Sequence, residues 1–337
     1  MEPNKTPFFS VGIPVHNSEP YLSKCLESIL QQDFNDFEIV CVDDCSTDGS
    51  TEIISSFFEK DKRIKVIRHK TNEGILLTRK EIAENSSGKY FIWCDSDDEL
   101  VPGALSEFYR ILSLYNNNDV GIIHSASMIS NNGQVSSMIF SPIRSNTINN
   151  KDAVGFILAN NGLRSFPWIF VLPTKSVLDA FIDVPLFNPQ DYVDDALVSY
   201  KYFLNLEKII FVEKSFYKYF LRKNSDSTDP LIIKRLSNTT SYIIDHLEES
   251  NKNLKTMLLF LHNLYSAIYY AVGDQARANY AEVNKIHLKL KKIRKDFCAK
   301  KYISKKNKIQ LLCLKYCPKL FYKYYSKKTT RYSKEAN

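Results

Sequence analysis

The sequence is short of glycine, with 10 in 337 residues. It contains neither G-x-x-x-x-G-K-[ST] nor G-x-G-x-x-G. This excludes a P-loop and a dinucleotide-binding fingerprint, both of which need glycine to bring backbone close to phosphate. Long hydrophobic runs are also missing. No stretch approaches the roughly 18 to 20 uncharged residues that a membrane span requires. The first ten residues, "MEPNKTPFFS", have no basic segment leading into an apolar one, so no signal peptide is expected. The seven cysteines are odd in number and unpaired in spacing. Cys41, Cys45 and Cys94 fall in or beside apolar runs and read as small buried hydrophobes, not as a disulfide framework. Cys313 and Cys317 have no His or Cys pair near them, which argues against zinc. The expectation is a reducing, cytoplasmic setting, at most at the inner face of a membrane.

What is present is a foldable core: 44% of residues are hydrophobic and 13% aromatic. The net charge of +7 hides an asymmetry. From Lys285 onward there are 18 Lys/Arg against two acidic residues, a local +16; the remainder has 27 against 36, or −9. An acidic body therefore carries a basic tail.

Along the first 118 residues, apolar runs alternate with amphipathic segments. "FFSVGIPV" (8–15), "FEIVCV" (37–42), "IKVIRH" (64–69) and "KYFIWC" (89–94) read as buried strands. "YLSKCLESIL" (21–30), "TEIISSFFEK" and "ILLTRKEIAENS" read as helices between and after them. Four alternations with short links predict a parallel sheet with helices on both faces, an α/β fold. Ligands of such sheets bind beyond the carboxyl ends of the strands. Each strand here ends in a polar cluster: "HNSEP", "DDCSTD", "KTNEG" and "DSDDE". All four should meet on one edge.

After residue 119 the alternation loosens. "DVGIIHSAS" and "GQVSSMIF" suggest antiparallel strands, "VDDALVSYKYFLN" (193–205) a helix, and "KIIFVEKSFYKYFLR" a pair of strands. Beyond about residue 230 the pattern is helical. The expected division is 1–225 (8–118 for the nucleotide half, 119–225 for the acceptor half) and 226–337.

Asp95, Ser96 and Asp97 place two carboxylates at alternate positions of a strand end, on the same side. Oxygen-only donors of this kind suit a hard cation, Mn²⁺ or Mg²⁺, whose open positions substrate phosphates commonly fill. A bare D-x-D is also common as a solvated turn. An EF-hand is excluded, because Leu100 and Ser106 stand where Gly and Glu are needed. Asp43 and Asp44 exceed what capping the next helix requires, and a carboxylate there could accept hydrogen bonds from a nucleobase imide or a ribose hydroxyl.

In order and spacing, "VGIPVHN", "VDDCSTDGS", "NEGILLTRKEIA" and "DSDDEL" resemble the N-terminal half of the family-2 glycosyltransferases, which use the GT-A fold. The resemblance is dense over 8–105 and thins out by about 228. It implies that Pro14 and Val15 border the nucleotide base and that Asp44, with Asp43 as second choice, binds uracil or ribose. It implies that Asn72, Gly74 and Arg79 support the diphosphate-sugar end. Asp95 and Ser96 would face the nucleotide, and Asp97, with Asp95, would hold the metal. Asp195 matches the family's catalytic base. Asp194 stands where the family has Glu, which leaves the base open between the two. His16 replaces the family's usual Tyr. The family's processive members add Q-x-x-R-W and membrane spans; neither is found here, so transfer of a single sugar is expected.

The implied activity is inverting transfer from a nucleotide-sugar, a UDP-sugar first, to a glycan or lipid-linked acceptor. A catalytically dead binder of sugar nucleotides or membranes is the alternative. Pyrophosphorylases need a Gly-rich loop after the first strand, which "PVHNSEPYL" lacks. For the tail, the mix of Lys with bulky apolar and aromatic residues over 285–334 favours an anionic membrane surface over nucleic acid. His16, His69 and His124 read as satisfied strand-associated histidines. Trp93 and Trp168 read as core, with Trp168 kept as a possible wall of the acceptor cleft.

Overall fold

The computed structural model describes residues 6–115, 119–130, 132–138, 147–148, 166–182, 184, 194–203, 206–221, 232–246, 288, 305–321 and 324. The chain divides into two compact units. One comprises Met1–Val154, Gly162–Pro189 and Asp194–Ser225; the other comprises Gly155–Asn161, Gln190–Val193 and Asp226–Asn337.

The first unit is built on one mixed sheet. Its strands β1 (Phe9–Val15), β2 (Phe37–Asp43), β3 (Ile64–Arg68) and β4 (Tyr90–Trp93) are mutually parallel, in the order β3-β2-β1-β4. Every residue of β1, β2 and β4 is buried, as expected of parallel strands covered on both faces. Helices α1 (Glu19–Leu30), α2 (Ser50–Lys60) and α3 (Ile75–Glu84) make the crossovers, and α4 (Ala104–Leu112) follows the short β5 (Glu99–Leu100). α1 buries Leu22, Cys25, Leu26 and Ile29, which recur at helical spacing along one face. α3 lies close against β1 because position 12 is glycine: a Cβ there would stand 2.5 Å from Ile82 of that helix and 2.4 Å from Phe91.

Beyond β4 the sheet changes direction. β9 (Phe170–Pro173) pairs antiparallel with β4 and with β6 (Val120–Ile129). β6 also pairs antiparallel with β7 (Val135–Met138) and parallel with β10 (Lys208–Phe220). The segment read as a pair of strands is this one 13-residue strand. Its register slips between Val212, Ser215 and Tyr217, so a bulge breaks the apolar pattern without ending the strand. β8 (Thr147–Ile148) and β5 pair with β10 as well. Helices α5 (Thr174–Ala180) and α6 (Asp194–Tyr202) complete the described part of this unit.

In the second unit the described helices are α7 (Ile232–His246) and α8 (Lys305–Tyr316). Among the described residues no helix is long and apolar enough to cross a membrane. Most of the basic tail lies outside the described residues.

Candidate active site

The loops that follow β1, β2, β3 and β4 are tied to one another at the carboxyl edge of the parallel strands. The loop after β1 reaches the next through His16, whose Nδ1 faces the Asp44 carbonyl at 2.8 Å and so donates to it. His16 Nε2 then accepts from the amides of Asn17 (3.2 Å) and Asn72 (3.3 Å). The Asn17 side chain receives the Thr47 N–H at 2.8 Å. Asn17 and Cys45 both adopt left-handed backbone, with φ of 51° and 57°; non-glycine residues in this region concentrate at sites under external constraint. Ser18 Oγ and Ser96 Oγ are 2.6 Å apart, which joins the first loop to the fourth.

Asp43 and Asp44 are both buried. Asp43 receives Ser46 N–H at 3.0 Å and the Thr51 hydroxyl at 2.5 Å, so it holds its own turn and the start of α2. Asp44 reaches across to the third loop. Its Oδ1 accepts from Glu73 N–H (2.7 Å) and from His69 Nδ1 (2.7 Å), and its Oδ2 from Gly74 N–H (2.9 Å). Burial would raise the Asp44 carboxyl, but the bonds from His69 and the two amides outweigh it and hold the group below the usual carboxylate range. About three of its roughly four lone-pair positions are thus taken within the protein. Gly74, at φ +85°, occupies backbone that residues with a Cβ rarely adopt, and it opens α3.

Arg79 lies on the buried side of α3. Its Nη1 donates to Asp195 Oδ1, and its Nη2 approaches Asp95 Oδ1 at 3.4 Å. The guanidinium stands 5.7 Å from the Trp93 ring. The arginine expected to face diphosphate therefore joins the strand-end carboxylate to the first turn of α6. Pro14 and Val15 are buried at the end of β1 beside these loops. Asp194 begins α6.

The cluster after β4 divides by burial. Asp98 is 1% exposed and accepts from the Tyr217 hydroxyl (2.9 Å) and from Phe220 N–H (2.9 Å), both on β10. Tyr217 Oη also receives Asp95 N–H at 3.0 Å. Burial first, then the charges of Asp95 and Asp97, push the Asp98 carboxyl well above its ordinary range. Asp95 keeps 27% of its side chain exposed. Asp97 is half-buried and borders a cleft lined by Pro20, Tyr21, Lys24, Glu99 and Phe220. Among the described residues no group of three or more His, Cys, Asp or Glu is placed to enclose a metal ion. Asp95 and Asp97 as a donor set suit a hard cation that shares its coordination with phosphate oxygens and water.

Trp168 is buried in an aromatic stack with Phe166 (4.9 Å) and Tyr217 (4.6 Å), so it braces Tyr217. His124 is buried within β6 and stacked on Phe108; burial lowers it to about 4. Three residues that organise this edge (His69, Asp98 and Tyr217) take their partners from distant segments, so the sequence does not name those partners.

Comparison with known proteins gives a consistent picture. The pattern described as Glycosyl transferase family 2 matches residues 10–162. Glycosyltransferase GlyA of Streptococcus pneumoniae is 31% identical over 221 residues, 64% of this chain and 31% of GlyA. Glycosyltransferase GlyG of the same organism is 27% identical over 259 residues, 74% of this chain and 80% of GlyG. The chain thus spans about a third of the length of the first of these relatives. Among solved structures, residues 1–349 of S. aureus TarS in complex with UDP-GlcNAc align with a TM-score of 0.69 at 20% identity, covering 96% of this chain and 91% of that one. At that identity the likeness establishes the fold, a GT-A-type mixed α/β sheet. With four strand-end loops gathered at one edge and the matching segment spanning them, residues 10–162 of this chain match the pattern of glycosyl transferase family 2.

Proposed function

We propose that the protein is an inverting glycosyltransferase. It moves one sugar from a nucleotide-sugar, a UDP-sugar first, to a hydroxyl of a glycan or lipid-linked acceptor in cell-surface glycan synthesis. One juxtaposition carries the reading: Arg79 brings Asp195 and Asp95 together, although the arginine and Asp195 are 116 residues apart in sequence. A strand-end carboxylate that faces nucleotide and a carboxylate that can take a proton are what displacement at an anomeric carbon requires. A relative supports the class of product: TarS of Staphylococcus aureus, a poly(ribitol-phosphate) β-N-acetylglucosaminyltransferase, is 28% identical over 225 residues.

In this reading Pro14 and Val15 border the base. The Asp44-anchored loop carries Asn72 and Gly74 to the donor. Asp97, with Asp95 beside it, would hold Mn²⁺ or Mg²⁺. When bound, such an ion stabilises negative charge on a leaving diphosphate. Asp195 accepts the proton of the acceptor hydroxyl as that oxygen attacks from the face opposite the leaving group. Arg79 orients Asp195 and contributes positive charge at the same place. Asp98, buried and bonded to β10, holds the turn that presents Asp95 and Asp97.

A peripheral membrane contact is part of the reading. α8 buries Leu311 and Leu314 and exposes Ile309, Leu312 and Tyr316; Leu320 and Tyr324 continue the exposed series. Ile309, Leu312 and Tyr316 recur at steps of three and four on α8, and Leu320 and Tyr324 follow beyond its end, within a tail of local charge +16. Exposed apolar residues in a lysine-rich setting fit an anionic lipid surface.

The test is nucleoside diphosphate release from UDP-, GDP- and dTDP-sugars, with and without metal, beside Asp97→Ala. Metal-dependent release from one donor, lost in the variant, is expected. A thermal shift with nucleotide and Mn²⁺ accompanies it. If no nucleotide stabilises the protein, the site assignment is wrong.

A further inference from the structure

We infer that His69 is a positioning residue of the donor site: its imidazolium clamps the loop after β3 to the end of β2 and to α3, and so sets where Asn72, Gly74 and Arg79 stand. The functional half of this inference rests on the reading of that edge as a nucleotide-sugar site.

His69 follows β3 directly, and its main-chain N–H donates to the Asp43 carbonyl at 2.9 Å. Its side chain is 8% exposed. Nδ1 lies 2.7 Å from Asp44 Oδ1, and Nε2 lies 2.7 Å from Glu81 Oε2. Ionised carboxylates only accept hydrogen bonds, so both ring nitrogens must donate. Only the doubly protonated ring can do that. Burial opposes this charge, but the bonds to Asp44 and Glu81 outweigh it and hold the ring above its ordinary 6.5. These two carboxylates are the charged groups that face the ring. Arg68, its chain neighbour, turns to Asp43 at 3.6 Å, and the Glu73 carboxylate receives the Thr71 hydroxyl.

The clamp holds α3 at two points. Through Asp44 it fixes Glu73 and Gly74, where the helix begins. Through Glu81 it fixes the helix body, from which Arg79 reaches Asp195 and Asp95. A neutral ring keeps one N–H. That proton stays with Asp44, only 5% exposed, while Glu81, 39% exposed, turns to solvent. As pH rises through the ionisation of His69, the tie to the body of α3 opens first. Donor binding weakens, and turnover at saturating donor changes less.

The experiment uses the full chain and two variants, His69→Gln and Glu81→Gln, the second serving if the first fails to fold. Donor KM and kcat are measured from roughly pH 6 to 9, with histidine ring NMR over the same range. The His69 signal is assigned by its loss in H69Q. Expected are a His69 titration above 6.5 and a wild-type donor KM that rises about three- to fivefold across it, a modest change because Glu81 is reached by water. Both variants should show a raised KM at the acid end and a flat profile. A His69 that titrates at or below 6.5 overturns the clamp. So do variants that keep the wild-type KM and its pH dependence. A wild type that binds no donor at any pH overturns the site reading and the functional half of this inference. The NMR arm then still decides the clamp on its own.

Discussion

The acidic clusters after β2 and after β4 look alike in sequence and are used differently in the fold. After β2 both carboxylates turn into the protein. Asp43 holds Ser46 and Thr51, and Asp44 holds His69, Glu73 and Gly74. After β4 the roles divide: Asp98 turns inward to Tyr217 and Phe220, while Asp95 and Asp97 keep access to solvent. Burial thus separates carboxylates held by the protein at this edge from carboxylates that stay open to solvent. A buried anion such as Asp44 is tolerated only when hydrogen bonds surround it.

Substitutions in the two clusters should separate activity loss from stability loss. Asp195→Asn and Asp97→Ala should each lower transfer by about 10²–10⁴-fold, measured as nucleoside diphosphate release, with the unfolding midpoint nearly unchanged. Chelation of divalent ions should act like Asp97→Ala and be reversed by Mn²⁺ or Mg²⁺. Asp43→Ala should do the reverse. It leaves a buried amide and a hydroxyl without their acceptor and should cost about 2–4 kcal/mol in denaturant unfolding. Tyr217→Phe removes the hydroxyl that links Asp98 to the Asp95 amide and should cost about 1–2 kcal/mol.

A smaller effect sharpens the β2 side. The folded ionisation of His69 is raised, so its stabilisation is complete below the ordinary histidine value and is lost as pH climbs through the raised one. That of Asp44 is lowered, so its stabilisation is present above the ordinary carboxylate value and is lost as pH falls through the lowered one. The difference in melting temperature between wild type and H69Q should therefore be largest between these limits and shrink on both sides. The smallest effect concerns the exposed apolar residues of the C-terminal tail. Leu312→Asp with Leu320→Asp should reduce sedimentation with anionic vesicles and leave release from soluble donor unchanged. Neutral vesicles should bind neither form.

Much of the first unit was legible because parallel strands advertise themselves as unbroken apolar runs, and their carboxyl ends as polar clusters. β1 to β4, α1 to α3 and the gathering of four loops follow from that. β10 was not legible as one strand, since its bulge interrupts the period of two. The split within "DSDDE" was not legible either. Asp98 differs from Asp97 only in facing Tyr217 and Phe220, more than a hundred residues away. His69 read as a satisfied histidine, but its two carboxylates come from different elements and are not named by its neighbourhood. Arg79 was placed on the right helix, but its partner Asp195 is a tertiary fact.

The most direct test is a paired measurement on wild type, D97A and D195N: metal-dependent nucleoside diphosphate release and thermal midpoint on the same samples. The account predicts release in wild type alone, with midpoints close together in all three. Release that persists in both variants, or variants that lose activity only because they unfold, would contradict it.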